Sequence, residues 1–181
     1  MQAANSTAPQ VKIAIIGAGF GGLAMAIRLL QNNIRDFVIL EKASEIGGTW
    51  RENQYPGAAC DVQSHLYSLS FSPKTDWSKR YAEAPEIYQY IQTLTAEHQL
   101  QPYIRFNTEV SAAHYLENLC LWQLTLNQNE TLTAQFVIFA SGPLHVPQIP
   151  RIAGIEKFKG KVFHSSQWDH DYNLSNKNVA S

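Results

Sequence analysis

The chemistry-bearing residues of this 181-residue chain begin with Gly17-Ala18-Gly19-Phe20-Gly21-Gly22, a GxGxxG turn. In such a turn Gly17 permits a tight passage from strand to helix, Gly19 leaves room for a pyrophosphate against the backbone, and Gly22 lets helix and sheet pack closely. The helix it opens offers free N–H groups and a partial positive charge to phosphates. No acidic side chain stands in that first turn to compete for them. Glu41 follows nineteen residues after Gly22. A carboxylate there accepts hydrogen bonds from both ribose hydroxyls of an adenosine and repels a 2′-phosphate. The pattern fits a dinucleotide without separating FAD from NAD. The alternative is a glycine-rich βα turn with Glu41 as a solvated strand-end charge.

Elements that position these groups are legible on either side. Val11 to Ile16 is a short apolar run, as expected of a strand buried on both faces of a parallel sheet. Phe20, Leu23, Ile27 and Leu30 recur at helical spacing, and Asp36 to Glu41 reads as a second buried strand. Together they make one βαβ unit, right-handed by the general rule. Periodicity then disappears from Lys42 to Ala84, and a long irregular stretch of this kind is more often functional than idle. Pro85 and Glu86 suit the first turn of a helix whose apolar face is Ile87, Tyr90, Ile91 and Leu94. Strands are expected over Ile104–Val110, Ala112–Leu116, Cys120–Leu126 and Gln135–Ala140, with a turn at Asn127 to Glu130. Phe136 to Ala140 reads as a return to the buried parallel sheet.

Composition narrows the class. Lys and Arg number 14 against 15 Asp and Glu, a net charge of −1, with no charged tail. That balance gives no electrostatic footprint for nucleic acid or an anionic membrane. The apolar run from Ile13 to Leu30 is interrupted by four glycines and Arg28, which argues against a membrane span or signal peptide. Cys60 and Cys120 belong to no CxxC pair, so a reducing compartment, the cytoplasm, is expected. His164, Asp169, His170 and Asp171 match no standard metal-ligand spacing, and no metal is expected.

Two further segments carry a family resemblance. Gly47 to Asp61 reads GGTWRENQYPGAACD, and Phe158 to Asp169 reads FKGKVFHSSQWD. GGxWxxxxYPGxxxD and FxGxxxHxxxW[PD] resemble the signatures of Baeyer–Villiger monooxygenases, flavoenzymes that insert oxygen next to a ketone. Trp168, where the related flavin-containing monooxygenases usually carry Tyr or Phe, favours the Baeyer–Villiger branch. The resemblance implies that NADPH reduces bound FAD and that oxygen then reaches a ketone, sulfur or nitrogen through the flavin. It implies FAD contacts at Gly17, Gly19, Phe20, Gly22, Glu41, Lys42 and Gly48, with Thr49 and Trp50 on the flavin side. Asp61 would lie beside the isoalloxazine and nicotinamide in a supporting catalytic role. Tyr67 is a further contact by position, and Val110 would touch the adenine through its backbone. Phe158, Gly160, His164, Trp168 and Asp169 form the family fingerprint, with His164 and Trp168 coupling domain movement to the flavin. Trp50, Tyr55 and Tyr67 read on their own as core aromatics, and Asp61 as a cap.

The expected fold class is therefore α/β: a Rossmann-like FAD-binding domain with a parallel sheet plus a β-meander, incomplete at the C-terminus. Residues 1–10 are expected to be a loose tail, 11–150 the FAD-binding segment, and 151–181 a linker toward an NADP-binding domain. Asn178 to Ser181 resembles the start of that domain's first strand. Small-molecule ketones or heteroatom compounds are the substrates the resemblance implies. An interrupted parallel sheet would expose apolar edges, so marginal stability is expected.

Overall fold

The structure is a computed structural model describing residues 9–179. Residues 1–8 of the expected tail lie outside the described residues. Gln10 is not loose: its N–H donates to Thr133 O at 3.0 Å.

Six strands form one sheet in the order β3-β2-β1-β6-β5-β4. β1 (Val11–Ile16), β2 (Phe37–Leu40) and β3 (Ile104–Arg105) run parallel, and β6 (Thr131–Phe139) joins β1 in parallel on its other side. β5 (Leu121–Thr125) pairs antiparallel with the first half of β6, and β4 (Ala112–Leu116) antiparallel with β5. The parallel sheet and the meander thus share one strand. Rigid Val, Ile and Phe side chains suit that pleated, half-buried surface.

α1 (Phe20–Gln31) connects β1 to β2 and rests on both. It buries Leu23 and Ile27 of the expected apolar stripe together with Ala26 and Leu29, while Phe20 and Leu30 of that stripe are half-buried. After the irregular stretch, which carries the four-residue α2 (Thr49–Glu52), comes α3 (Ala84–Glu97). α3 begins with Pro85 in its first turn, buries Ile87, Tyr90, Ile91 and Leu94, and packs into the same core as α1, Ile15 and Ile39. A second cluster on the sheet joins Val11, Ala14 and Leu40 to Leu124, Leu126 and Leu132 of the meander.

Three strand expectations change. The strand read over Ile104–Val110 is two residues long, because Asn107 takes a φ of +52° and turns the chain away. Thr108 N–H then donates to Glu41 O at 2.8 Å, so Val110 lies in a loop. Cys120, also at φ +52°, belongs to the turn before β5. β6 starts at Thr131, earlier than Gln135, since its first residues pair with β5. The return to the parallel sheet is as expected, but its burial is not: Phe136 and Phe139 are 52% and 62% exposed. α1 covers β1 and β2, and Ile138 of β6 packs at the rim of the same core, while Phe136 and Phe139 stay open. Pairing with β5 stops at Ala134, so the last residues of β6 have β1 alone as a partner and form an open apolar edge of the sheet, as expected. Asn178 and Val179 have no regular structure, and the remainder of the strand read there is outside the described residues.

Two substitutions separate the core from the open end of β6. Ile91→Ala is expected to lower unfolding free energy by about 2–5 kcal/mol in urea titrations. Phe139→Ser is expected to change it by less than about 1 kcal/mol while reducing binding of the apolar dye ANS; equal losses for the two variants would contradict this division.

Candidate functional site

The glycine turn sits where β1 ends. Gly17 takes a φ of +104°, and a Cβ there would stand 2.6 Å from Ala140 O. Its N–H donates to Leu40 O at 2.8 Å. The turn is thereby clamped between the C-terminal ends of β2 and β6, the end of a parallel sheet where ligands of open α/β folds bind. Gly19 caps α1 with no side-chain hydrogen bond, and the first turn holds no acidic residue. Its N–H groups are therefore available to an anion. Gly22 lies off the cavity wall, and a Cβ there would collide with Gly17 O. Its part in the site is to bring α1 close to β1.

Glu41 is 5% exposed. Its Oε2 accepts from Ala18 N–H at 2.8 Å and its Oε1 from Ala43 N–H at 2.9 Å. Arg51 Nη1 stands 3.5 Å from Oε1. A carboxylate has about four acceptor positions, so these contacts leave capacity for a ligand. Lys42, the next residue, is exposed on the same wall.

The second glycine pair meets the first. Gly47 N–H donates to Ala18 O at 2.9 Å, and Gly48, at φ +51°, would place a Cβ 3.4 Å from Gly19 Cα. The two backbones form a slot that side chains would fill. Thr49 and Trp50 follow in α2. Trp50 Nε1 donates to Tyr67 Oη at 3.0 Å, and the two rings meet edge to face at 5.6 Å. Phe20 packs edge-on against Tyr67 from the other side at 5.5 Å. Burial pushes the Tyr67 phenol above its ordinary pKa; the bond from Trp50 opposes this, while nearby Cys60 and Asp61 add to it. Tyr67 therefore keeps its proton and can donate it into the cavity.

The irregular stretch is pinned by backbone bonds. Cys60 N–H donates to Ala82 O and Ala84 N–H to Ala58 O, both at 2.9 Å. Tyr90 Oη accepts from Leu69 N–H and donates to Ser72 O. These contacts hold exposed Asp61 at the cavity against the start of α3. On the opposite wall, Val110 N–H and C=O have no hydrogen-bond partner among the described residues. A backbone donor and acceptor side by side match the edge of an adenine.

The resulting cavity measures about 720 Å³, within the range of cofactor sites. Gly17, Gly19, Phe20, Glu41, Lys42, Gly48, Thr49, Trp50, Asp61, Tyr67 and Val110 all line it. Ala140, Ser141 and Gly142 close one end. Its residues fit an FAD: N–H groups and a glycine slot for the pyrophosphate, a carboxylate for the ribose, aromatic and acidic groups at the other end.

The fingerprint residues do not join this cavity. Phe163 stacks edge-on against Trp168 at 5.1 Å, and Lys161 pairs with Asp169 at 2.8 Å, which lowers the carboxyl pKa of Asp169. His164 Nδ1 accepts from Ser166 N–H at 3.1 Å and caps a short turn. Phe158 is 61% exposed beside Gly160, where a Cβ would meet the Phe158 ring. No group of three His, Cys, Asp or Glu gathers for a metal among the described residues. Sequence reasoning missed Arg51, which lines the cavity beside Glu41. Its signal was a lone cation inside the second glycine segment.

Fold and cavity together define an FAD-type dinucleotide-binding α/β protein. The chain belongs to the Pyridine nucleotide-disulphide oxidoreductase family, matched over residues 14–180. It is 46% identical over 170 residues to a Baeyer-Villiger monooxygenase of Streptomyces coelicolor, covering 94% of this chain and 33% of that protein. It is 48% identical over 179 residues to a Baeyer-Villiger monooxygenase of Pseudomonas aeruginosa, covering 99% and 34%. The crystal structure of OTEMO in complex with FAD and NADP superposes with a TM-score of 0.81 at 37% identity, covering 90% of this chain and 31% of that one. An epsilon-caprolactone-bound cyclohexanone monooxygenase superposes at 0.82 with 34% identity, covering 91% and 33%. The resemblance read from the motifs therefore holds across the chain, which spans about a third of the length of these curated relatives.

The glycine contacts make a graded test. Gly22→Ala is expected to lower the melting temperature strongly, because its Cβ meets backbone that cannot yield. Gly57→Ala, at φ +79° in open space, is expected to cost only about 1 kcal/mol of backbone strain; the reverse order in thermal melts would refute the packing argument.

Proposed function

We propose that this chain is the FAD-binding portion of an NADPH-dependent flavin monooxygenase that inserts oxygen into ketones, in the Baeyer–Villiger manner, or oxygenates heteroatoms. The observation that carries it is a single cavity lined by the glycine turn, Glu41 and the Trp50–Tyr67–Asp61 group. Bound FAD would supply the redox centre at which oxygen is activated. The chain's own groups bind and orient it. The α1 N-terminus, with Gly19 and Gly48, would take the pyrophosphate, Glu41 the ribose diol and the Val110 backbone the adenine. Trp50 and Phe20 exclude water from one side and hold Tyr67, whose hydroxyl proton is free to donate. Exposed Asp61 would orient a catalytic arginine from an NADP-binding domain.

We further assign residues 11–150 to FAD binding and 151–181 to a connecting segment. Among its described residues, that segment holds only two single-turn helices. The unpaired cysteines fit a cytoplasmic location. No described helix is long and apolar enough to cross a membrane. The sequence contains one GxGxxG turn. An alternative reading of the same cavity is a flavin-holding module that receives reducing equivalents from another polypeptide.

Reconstitution with FAD tests the reading directly. Protein freed of small molecules is expected to bind one FAD, followed by its visible absorbance, and Glu41→Gln to weaken binding about tenfold or more. The 181-residue chain with FAD, NADPH and cyclohexanone is expected to form no lactone by gas chromatography. Failure to bind FAD would end the proposal, and lactone formation would show that one glycine turn suffices.

A further inference from the structure

Glu41 has an environment that a ribose acceptor alone does not require. It is a carboxylate with a side chain only 6% exposed, a state that is unfavourable without a compensating positive charge. Arg51 is that charge. Its own side chain is 13% exposed and fixed from the far side: Nη2 pairs with Glu52 Oε1 at 2.8 Å, and Nη1 donates to Glu45 O. Held in this way, Nη1 approaches Glu41 Oε1 only to 3.5 Å, long for a hydrogen bond. At that distance the charge still acts on the carboxylate while the oxygen's lone pair is not firmly taken.

We infer that Arg51 is a positioning residue, tethered by Glu52, that stabilises the buried Glu41 carboxylate while leaving an acceptor position on each oxygen for an unmodified ribose diol. The inference rests on the FAD reading of the cavity and goes beyond it. Ala18 N–H occupies one position on Oε2 and Ala43 N–H one on Oε1. The remaining position on each matches the two hydroxyls of a vicinal diol. The Arg51 charge is already shared between two carboxylates, Glu41 and Glu52, which makes it a weak receptor for a further anion. A 2′-phosphate would therefore meet Glu41 with no free cation from Arg51 to receive it. The two free acceptor positions favour a ribose that carries both hydroxyls.

The probes are ADP and 2′-deoxy-ADP, titrated calorimetrically into the 181-residue chain, with thermal melts recorded for each variant. The wild-type protein is expected to prefer ADP about tenfold, the value of a hydrogen bond to a charged acceptor. In Arg51→Gln the preference is expected to fall to about twofold or less, and in Arg51→Lys to be largely kept, since a cation remains. A change in folding alone would weaken both nucleotides together and leave their ratio intact. A wild-type ratio in Arg51→Gln overturns the inference, as does a ratio in Arg51→Lys as low as that of Arg51→Gln. Should Arg51→Gln fail to fold, Glu52→Gln carries the test: it releases the tether, a reduced ratio supports the inference, and an unchanged one overturns it. Binding of neither nucleotide by folded wild-type protein overturns the FAD reading and this inference with it. A wild-type preference that every variant retains overturns the inference alone.

Discussion

One buried carboxylate ties the site together. Glu41 joins the glycine turn through Ala18, the exit of β2 through Ala43 and the second glycine segment through Arg51. These three segments come from separate parts of the chain, and each contributes a different wall of the cavity. A charge buried to this degree is tolerated only when its partners are in place. The same contacts that make Glu41 affordable therefore fix the relative positions of the pyrophosphate slot and the ribose acceptor. Glu41 O also receives Thr108 N–H, which turns the chain after β3 and brings Val110 to the adenine end.

The flavin end is organised by packing rather than charge. Tyr67 is held between Phe20, which belongs to the glycine-turn helix, and Trp50, which follows the second glycine pair. Phe20 also touches Tyr90 of α3, whose hydroxyl pins Leu69 and Ser72. The long irregular stretch is thus fastened at several points by helix α3 and by backbone bonds. Its irregularity is a means of presenting Trp50, Cys60, Asp61 and Tyr67 to one cavity, not a sign of slack.

Much of this was legible from residue types. The βαβ unit, helix α3 and the return of β6 to the parallel sheet follow from apolar periodicity, because local burial and local conformation agree there. The glycine roles were readable because a missing Cβ has few uses at those positions. Other features were hidden for physical reasons. The early end of β3 depends on Asn107 entering the left-handed region, which its residue type tolerates and which tertiary bonds fix: its N–H donates to Ala43 O and its carbonyl accepts from Asn127 Nδ2. Apolar content made Phe136 and Phe139 look buried, but burial depends on what lies over them. Arg51 was missed because pairing between a helix turn and a strand end leaves no periodic trace. The fingerprint was legible as a pattern, yet its residues pack on one another through Phe163, Trp168 and the Lys161–Asp169 pair, away from the cavity.

The shared strand β6 has a consequence for the order of assembly. Its register places Val11 beside Ala134 and Ile16 beside Phe139, and Gln10 bonds to Thr133 across 123 positions of sequence. On the ribosome, β1, α1 and β2 emerge early, yet β1 has an open flank until β6 has been synthesised. Ala140, whose carbonyl braces Gly17, arrives later still. Contacts between such distant segments carry a large loop-closure cost and form slowly. The nucleotide cradle is therefore begun at Gly17 and completed only at Ala140, so a nascent chain passes through an interval in which its first strand needs protection from other partners.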